Sequence, residues 1–476
     1  MVAQHIKCPE QPTVALAQWK VASMTTSRPA DLRGVLDNDL CIACGACVLA
    51  DPSIELRLNP EKLIFEPSHA GNQAAADVCP AVEVDFKQLQ DQLFPGSEQT
   101  PYGVVHSVML AQSTDYERNL RASSGGMIKE LLVHSLEQDD VDGAIVLQHV
   151  DGLDFEPGLI TAVSEVDQLP GSIYHNLPKH RALELLRENE GRYVLAAIPC
   201  ELEGIYNYIF KREPHLRERI HTTIGLLCGW QYNWHSIRAI CEYKGVDPDR
   251  IVNVSYRGGG PIGKLRIWTD DGKEVSTSRR LDFGYQVAFD RTFNTPRCHL
   301  CINHSNFLAD IVVGDAWLAS TLGTKTGISL VINRREESDK LVRTLADAGR
   351  VIFTEVTVNE IRESQKPSIA FGNFAYAYAE YLDDLGLHRP KMDGPNKSAA
   401  QLVGRPEVEK FHKELRRKIE LQRARRYRFL LWRKATKELG RYLSRYWNWF
   451  THRVLRVGRD PNAAKTAPRD TTSIFR

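Results

Sequence analysis

The amino-acid sequence predicts a protein of the α+β or α/β class, with a small cysteine-containing module before a mixed α/β domain and a basic helical extension after it. Three observations support this prediction. The chain has 476 residues, 42% of them hydrophobic, which is enough for a large core. Strand-like apolar segments alternate with amphipathic helical segments through its middle. Its last part is rich in Lys and Arg and has a helical pattern.

Composition and charge exclude several classes of protein. The formal net charge is +1 at pH 7, so the molecule has no overall field for nucleic acid, and no specific nucleic-acid partner is expected. The N-terminal residues lack the apolar core of a secretory signal, and no segment has the apolar length that spans a bilayer. We therefore expect a cytoplasmic protein, in which ten cysteines indicate metal or redox chemistry rather than disulfides.

The pattern divides the chain into four segments. We expect an N-terminal extension at 1–34, the cysteine-containing module at 35–95, the α/β domain at 96–385 and a basic, aromatic-rich helical tail at 386–476. Proline and glycine in the stretch LFPGSEQTPYG predict a linker between the module and the domain.

The module carries the first cysteine group. Cys41, Cys44 and Cys47 form C-x-x-C-x-x-C, and Cys79 follows about thirty residues later, directly before a proline. Two-cluster ferredoxins have one more cysteine, before a proline, where this chain has Asp51. The spacing therefore predicts a ferredoxin-like module with one [4Fe-4S] cluster; a zinc site or buried free thiols are the alternatives.

The middle of the chain alternates between helix and strand patterns. Between residues 127 and 230 the predicted elements are helix 127–136, strands 143–150 and 159–166, helix 180–190, strand 192–200, helix 201–210 and strand 222–230. From about residue 250 the pattern is more β-like, with a hairpin turn at Asp271-Gly272, and the last predicted elements are strands 309–317 and 327–334, helix 338–349 and strand 351–356. Such alternation predicts an α/β sheet.

The α/β domain carries the second cysteine group. Cys200 and Cys228 are placed at the ends of two predicted strands, and Cys298 with Cys301 forms C-x-x-C. Ligands bind in α/β sheets where strands end, so these four thiols are expected to converge on a second [4Fe-4S] cluster or on a structural zinc ion. The spacing alone leaves both open. The two remaining thiols, Cys8 and Cys241, are expected to be independent.

The tail interleaves basic and aromatic residues. Its large apolar side chains are Phe429, Leu430, Leu431, Trp432, Tyr446, Trp447, Trp449 and Phe450. A basic amphipathic helix of this kind binds an anionic membrane surface or an acidic partner, or else packs its aromatics on the body of the protein. Both hypotheses stand, and the first makes the protein peripheral to a membrane.

Several short motifs follow one another in a recognisable order. They are SSGGMIKELL with DGAIV, GSIYHN, IPCELEGIYN, GLLCGW, SYRGGGPIGKLRI, and RCHLCINHSNFLADIVVGDAW with TGISLV. Over roughly residues 35–385 the chain resembles the beta subunit of coenzyme F420-reducing hydrogenase and its relatives. These relatives include F420-dependent dehydrogenase subunits, the 7-hydroxymethyl chlorophyll a reductase of plants and a bacterial divinyl chlorophyllide 8-vinyl reductase. The tail has no recognised counterpart.

The resemblance implies an iron–sulfur flavoprotein that carries FAD. It implies that Cys200, Cys228, Cys298 and Cys301 bind a [4Fe-4S] cluster near the flavin, which favours iron over zinc in the second group. It also implies that electrons enter at the module, from a ferredoxin or a similar small donor. Coenzyme F420 is then a candidate substrate.

The resemblance also implies flavin-binding residues. They are expected to be Ser123, Ser124, Gly125, Gly126, Gly171, Ser172 and Tyr174. The S-S-G-G turn suits a phosphate, because glycines allow close backbone approach and a helix N-terminus favours anions, although an ordinary helix cap has the same pattern. Ile173 stands where the family has lysine, so any charge from that lysine is lost or supplied elsewhere. Gly327 and Ser329 match the family's closing G-x-S.

A proton donor would complete reduction of an organic substrate. His175, Tyr174 and Asp315 are the candidates, and Asp315 is equally well explained as a capping residue after Gly314. His299 and His304, beside the second cysteine group, are expected to be packing or surface residues.

Three hypotheses of function follow. The first is an oxidoreductase that passes electrons from a ferredoxin-like donor through two [4Fe-4S] clusters to FAD and on to a small organic substrate. The second keeps this chemistry and makes the chain an F420-linked or electron-transfer subunit of a larger hydrogenase or dehydrogenase complex. The third is a zinc-stabilised binding protein without turnover. The sequence does not identify the substrate.

Overall fold

A computed structural model provides the structure of this protein. It describes residues 30–260, 263–278, 282–289, 291–321, 323–394 and 403–453. Cys8 and most of the N-terminal extension lie outside these ranges. Tyr446, Trp449 and Phe450 lie inside them, but only their backbone is described.

Seventeen strands occur in the described part of the chain. They are β1 (Leu56–Leu58), β2 (Phe65–Pro67), β3 (Glu83–Val84), β4 (Gln99–Thr100), β5 (Gly103–Val104), β6 (Ser107–Ser113), β7 (Gly143–Asp151), β8 (Asp154–Ile160), β9 (Tyr193–Ala197), β10 (Ile220–Leu226), β11 (Ile251–Ser255), β12 (Lys264–Thr269), β13 (Glu274–Ser278), β14 (Ile311–Asp315), β15 (Ser329–Asn333), β16 (Val351–Val356) and β17 (Lys391–Met392).

Sixteen α-helices accompany them in the same ranges. They are α1 (Arg33–Asp37), α2 (Ala46–Ala50), α3 (Gln73–Val78), α4 (Phe86–Leu93), α5 (Tyr116–Arg121), α6 (Met127–Leu136), α7 (Val163–Val166), α8 (His180–Glu188), α9 (Pro199–Arg212), α10 (His235–Lys244), α11 (Phe283–Ala288), α12 (Glu336–Asp347), α13 (Val358–Ser364), α14 (Lys366–Asp384), α15 (Arg405–Arg423) and α16 (Tyr427–Arg453).

One eight-stranded mixed sheet organises the molecule. Its strand order is β16-β6-β15-β14-β10-β9-β7-β8. The four strands β14, β10, β9 and β7 are parallel, and the strands on either side of them pair antiparallel. The carboxyl ends of the parallel strands therefore meet at one edge of the sheet, the usual position of a binding site. The predicted mixed α/β class is confirmed at this level.

The two faces of the sheet are buried by different elements. Strand side chains alternate between faces, so Val194 packs in a cluster with residues of α6 and α12, whereas Leu195 packs in a cluster with residues of α8 and α9. Because helices cover both faces, the central strands are almost continuously apolar, as in β9 and β14.

The cysteine-containing module packs on the second of these faces. Ile42 and Cys44 belong to the same buried cluster as Leu183 of α8 and Leu202 of α9. The helix α2, which begins directly after the cysteine loop, contacts both α8 and α9. The module thus shares its core with the α/β domain. The boundaries predicted for the four segments remain a prediction.

Three strand predictions need correction. The segment predicted as strand 159–166 ends its strand at Ile160 and forms the short helix α7 from Val163 to Val166. The strand predicted at 192–200 ends at Ala197, so Cys200 lies in the first turn of α9, after the helix-starting Pro199. The strand predicted at 222–230 ends at Leu226, so Cys228 lies beyond it. The predicted linker also contains the small hairpin of β4 and β5. Apolar residues alone do not distinguish a strand that continues from one that stops.

The tail forms the helices α15 and α16, as predicted. Val408 and Leu415 of α15 are buried, and so are Tyr427 and Leu430 at the start of α16. Among the described residues, no helix is long and apolar enough to cross a membrane.

Candidate functional site

The first four predicted cysteines lie together in the structure. Cys41, Cys44 and Cys47 line one small cavity with Cys79, which directly follows α3. Their loop turns tightly because Ala43 and Gly45 both have left-handed backbone conformations, with φ of 56° and 81°. A Cβ on Gly45 would lie 2.3 Å from the Cβ of His180, so this position requires glycine.

These thiols combine burial with a hydrogen-bond donor to sulfur. The backbone amide of Ala43 donates to Cys41 Sγ at 3.3 Å, as amides do in iron–sulfur sites. Burial raises the pKa of the Cys44 thiol to about 12, and the neighbouring Cys79 adds to this shift. The pKa values of Cys41 and Cys47 are shifted in the same direction, mainly by burial and further by their cysteine neighbours. All four thiols are free of disulfides.

The second four predicted cysteines also converge. Cys200 follows β9 by three residues and Cys228 follows β10 by two, so both lie at the carboxyl edge of the sheet. Cys298 and Cys301 come from the turn at Pro296–Leu300. Cys298 Sγ accepts from the amide of Gln231 at 3.2 Å and lies 3.0 Å from the hydroxyl of Thr295.

The pKa values reflect this convergence. Burial raises the pKa of Cys228, and Cys298 and Cys301 raise it further. Burial likewise raises the pKa of Cys301 to about 12, with Glu203 and Cys298 contributing. The pKa of Cys200 is shifted upward by burial and by both Cys228 and Cys298. Each thiol therefore interacts electrostatically with others of its own group. Cys241 is buried in α10, apart from both groups.

The donors of the two groups can be compared with what a cluster requires. In the described part of the chain, no three His, Cys, Asp or Glu side chains converge closely enough to hold one ion. A cubane does not need such convergence, because each thiolate binds a different corner of the cluster. The donors in each group, four buried or half-buried thiols of which one accepts an amide hydrogen bond at sulfur, fit that kind of ligand.

Helix α9 connects the two groups. It begins with Cys200 in its first turn, and one turn later Gly204 lies against Cys44 of the first group. A Cβ on Gly204 would come within 2.6 Å of Cys44 Sγ and 2.8 Å of Cys44 Cβ. Only the absence of a side chain at this position lets the two groups approach each other.

Two buried cations also interact with both groups. Lys179 affects the pKa of Cys44 in the first group and of Cys200, Cys228 and Cys298 in the second. Its ammonium donates to the carbonyl oxygen of Leu177 at 2.9 Å. Arg297 affects the pKa of Cys79 in the first group and of Cys298 and Cys301 in the second. It forms a buried ion pair of 3.3 Å with Glu203.

The S-S-G-G turn forms a tight contact with the loop that carries the predicted G-x-S. Gly125 and Gly126 have left-handed conformations and lead directly into α6. A Cβ on Gly125 would lie 2.4 Å from Ser329 Oγ, and Ser124 Oγ donates to Ile328 O at 3.0 Å. The hydroxyl of Ser329 is fully buried and has no hydrogen-bond partner among the described residues. A close backbone with an unsatisfied hydroxyl fits a polar ligand such as a phosphate.

Gly171 and Ser172 meet the same turn. Ser172 contacts Ser123 through its backbone amide at 3.2 Å and its hydroxyl at 2.9 Å. Arg257 reaches the turn from another direction, since its guanidinium donates to Ser123 O at 2.5 Å. The same guanidinium forms a bidentate pair with Asp315, at 2.7 and 2.9 Å, at the carboxyl end of β14. The turn therefore lies at the sheet edge that also presents the second cysteine group.

The three candidate proton donors have different surroundings. His175 is buried, with one ring nitrogen 2.5 Å from the hydroxyl of Tyr256 and the other 2.8 Å from Leu153 O. Burial lowers the pKa of His175 to about 4. Tyr174 is half-buried and packs edge-on against Tyr256. Burial alone would lower the pKa of Arg257, but Tyr174 and Asp315 raise it above its ordinary value.

Comparisons with known proteins give the family. Residues 108–184 match the N-terminal model of the coenzyme F420 hydrogenase/dehydrogenase beta subunit, and residues 190–359 match its C-terminal model. The chain belongs to this family.

Other members of the coenzyme F420 hydrogenase/dehydrogenase beta group match most of their length to this chain. Coenzyme F420 hydrogenase subunit beta of Methanothermobacter thermautotrophicus is 26% identical over 270 residues, which is 55% of this chain and 87% of that protein. A subunit of the F(420)H(2) dehydrogenase of Methanosarcina mazei is 24% identical over 359 residues, 72% of this chain and 89% of that protein. A chain of the F420-reducing [NiFe] hydrogenase complex from Methanosarcina barkeri superposes with a TM-score of 0.47 and 19% identity, over 62% of this chain and 98% of that one.

The family bears on the hypotheses of function. The two relatives described above are named as subunits of coenzyme F420 hydrogenase and of F(420)H(2) dehydrogenase, which supports a redox role over a zinc-stabilised binding protein. They also favour the second hypothesis, a subunit of a larger complex, over a reductase that works alone with ferredoxin. The resemblance drawn from the sequence motifs is confirmed.

Several residues of the site had only weak signals in the sequence. Arg257 stands within the motif SYRGGG, and Gly204 within IPCELEG, but neither motif indicates what its residue contacts. Lys179 lies just after the motif GSIYHN, and Arg297 is the first residue of RCHLCINH; the sequence does not distinguish either from a surface cation, yet both are buried. His299 and His304 are buried beside the second cysteine group, and His304 bonds the carbonyl of Cys228 at 2.8 Å, which agrees with a packing role.

Proposed function

We propose that this chain is an electron-transfer subunit of a larger oxidoreductase complex, connecting coenzyme F420 to one-electron carriers by means of two [4Fe-4S] clusters and one FAD. When bound, the clusters supply single-electron transfer and the flavin exchanges an electron pair as hydride. The observation that carries this proposal is the convergence of eight free, buried or half-buried cysteines in two groups that helix α9 joins.

Each group of thiols has its own place in the proposal. Cys41, Cys44, Cys47 and Cys79 would hold the cluster of the module, and Cys200, Cys228, Cys298 and Cys301 would hold the cluster of the α/β domain. The proposal is supported by amide donors to sulfur in both groups and by the tight loop that Ala43 and Gly45 allow.

The flavin would lie at the carboxyl edge of the sheet. Ser123, Ser124, Gly125 and Gly126 would bind its phosphates through backbone amides and hydroxyls, supported by the close approach of Gly125 and the unsatisfied Ser329 hydroxyl. Gly171, Ser172 and Tyr174 would complete the pocket. Arg257 hydrogen-bonds both Ser123 and Asp315 and so connects the turn to the end of β14. It supplies a cation next to the turn in a chain that has Ile173 in place of the family's lysine.

The protons needed to reduce the substrate would come from side chains of this protein. His175 is poorly suited to it, because both of its ring nitrogens are engaged and its lowered pKa keeps it neutral. Tyr174 is the better candidate, since its phenol is half-buried and interacts with the Arg257 guanidinium.

Composition and choice of reductant test this proposal. Anaerobically purified protein should contain about eight iron atoms and one releasable FAD per chain, with low-temperature EPR signals after dithionite treatment. Reduced coenzyme F420 should bleach the flavin faster than reduced ferredoxin does. Rapid bleaching by ferredoxin alone would support a stand-alone reductase instead, and zinc without iron would overturn both.

The order of the two cysteine groups has its own test. Cys44→Ser should abolish electron exchange with an external one-electron carrier but leave FAD bound, because Cys44 belongs to the module. Cys241→Ser is the matched control, since Cys241 is a buried cysteine outside both groups. Loss of FAD in Cys44→Ser would show that the module has a structural role instead.

A further inference from the structure

Helix α16 carries an exposed apolar stripe along one face. Five large side chains between 39% and 62% exposed form it: Phe429, Trp432, Leu439, Leu443 and Trp447. At 3.6 residues per turn, these positions fall within an arc of about 80°. Scattered exposed apolar residues are normal on any protein, but a continuous row along a helix is characteristic of an interaction surface.

The opposite face of α16 fixes the helix to the body of the protein. Tyr427 and Leu430 are buried in a core cluster, on an arc centred about 170° away from the exposed stripe. Tyr427 bonds His235 at 2.7 Å, and Lys437 pairs with Glu414 at 2.9 Å. The exposed stripe is therefore not a core face that lacks its packing partner, because the helix already has one.

The charge of α16 indicates the chemistry of the surface that it fits. Its sequence has one acidic residue, Glu438, against seven Lys and Arg, namely Arg428, Arg433, Lys434, Lys437, Arg441, Arg445 and Arg453. The arginines at 423, 425 and 426 directly precede it. At 100° per residue, Arg428 and Arg433 flank the stripe, whereas Lys434, Arg441 and Arg445 fall nearer the opposite side of the helix. A stripe that includes two tryptophans and has flanking arginines matches the interfacial region of an anionic bilayer, where indole rings and cationic side chains both bind.

We propose that α16 docks this protein on an anionic lipid bilayer, with the stripe of Phe429, Trp432, Leu439, Leu443 and Trp447 facing the acyl chains. At 1.5 Å per residue, the helix is about 40 Å long, so it lies in the plane of the interface rather than across the membrane. An acidic protein partner would satisfy the basic residues equally well, but it gives no reason for tryptophan and leucine to share one exposed stripe.

The test uses the full-length protein and vesicles. Sedimentation with vesicles of phosphatidylcholine and phosphatidylserine should recover the protein, whereas pure phosphatidylcholine vesicles should leave it in solution. Raising the salt concentration should weaken binding, because it screens the attraction between the basic residues and the lipid headgroups. The double variant Leu439→Ser and Leu443→Ser should bind at least about tenfold more weakly, because it removes apolar area from the acyl region.

A matched control removes an equally exposed apolar side chain elsewhere. Ile352 is 59% exposed on the edge strand β16, and Ile352→Ser should bind vesicles as the wild type does. Equal thermal stability and iron content in both variants would exclude misfolding as the cause. The proposal is overturned if the wild type ignores anionic vesicles, or if the α16 variant binds them unchanged. It is also overturned if the variant instead loses an acidic protein that co-purifies with the wild type.

Discussion

Gly204→Ala tests the closeness of the two cysteine groups most directly. The added Cβ would lie 2.6 Å from Cys44 Sγ and 2.8 Å from Cys44 Cβ, distances that real side chains do not adopt. Because the contact is with a short side chain fixed in a buried loop, Cys44 must move. We expect the variant to lose the cluster of the module and to keep the cluster of the α/β domain.

The magnitude follows from two opposing effects. Gly204 lies inside α9, where alanine is favoured over glycine by about 1 kcal/mol. Overpacking of a dense core costs about 1–3 kcal/mol. The net change in the free energy of unfolding is therefore a loss of about 0–2 kcal/mol, small enough for the chain to fold. The displacement of one ligand, rather than unfolding, should dominate the result.

Gly372→Ala is the matched control. Gly372 is also a buried glycine inside a helix, α14, but the nearest atom to its added Cβ would be Ile302 O at 3.6 Å, an ordinary contact. This variant should gain up to about 1 kcal/mol from helix propensity and keep all its iron. Iron and sulfide content, EPR after dithionite and thermal unfolding distinguish the two variants. If Gly204→Ala keeps the full iron content and gains stability, the two groups are not in the contact described.

Three further predictions concern the charged and titrating groups. Lys179→Met should lower the reduction potentials of the EPR-active clusters by roughly 50–100 mV, because a buried positive charge is lost near both, whereas the exposed Lys340→Met should not shift them in a redox titration. Asp315→Ala should release FAD and cost about 3–5 kcal/mol in a denaturant titration, because it leaves the Arg257 guanidinium buried without its carboxylate, and Asp315→Asn should be milder. Because burial lowers the folded-state pKa of His175 to about 4, the unfolded state alone takes up this proton as the pH falls below about 6.5, so about 3 kcal/mol of stability should be lost between pH 6.5 and pH 4. A His175→Gln variant with the same pH dependence of unfolding would contradict that assignment.

The sequence predicts the cysteine groups because their chemistry imposes a spacing. A tight loop can present three thiols only at short, regular intervals, so Cys41, Cys44 and Cys47 are visible without any structure. The strands β9 and β10 are also predictable, because β9 is apolar along its length and β10 ends in an apolar segment. The order of these strands in the sheet is not predictable from the sequence, since it depends on long-range pairing that periodicity does not encode.

The features of the site that the sequence does not predict depend on contacts between distant segments. Arg257, Ser123 and Asp315 are far apart in the sequence and meet only because β14 ends beside the turn before α6. The sequence does not distinguish a buried lysine such as Lys179 from an exposed one. Lys179 is buried because α2 packs against α8 and α9. The short helix α7 replaces the end of a predicted strand because an apolar run does not fix where a strand stops.

The charges between the two cysteine groups favour the ligand-bound form of the protein. Lys179 is buried and donates to backbone carbonyls, and within the described residues it forms no ion pair. A buried cation is costly; Glu201 is an acidic group that interacts with Lys179, and Arg297 already uses the carboxylate of Glu203. Neutral thiols add no negative charge near Lys179, whereas thiolates bound to a cluster would. Iron binding requires deprotonated thiols, so a bound cluster would add to the favourable electrostatic interactions of Lys179. For this reason the chain should be less stable without iron, and Lys179→Met should narrow the difference in thermal stability between the iron-free and iron-loaded protein.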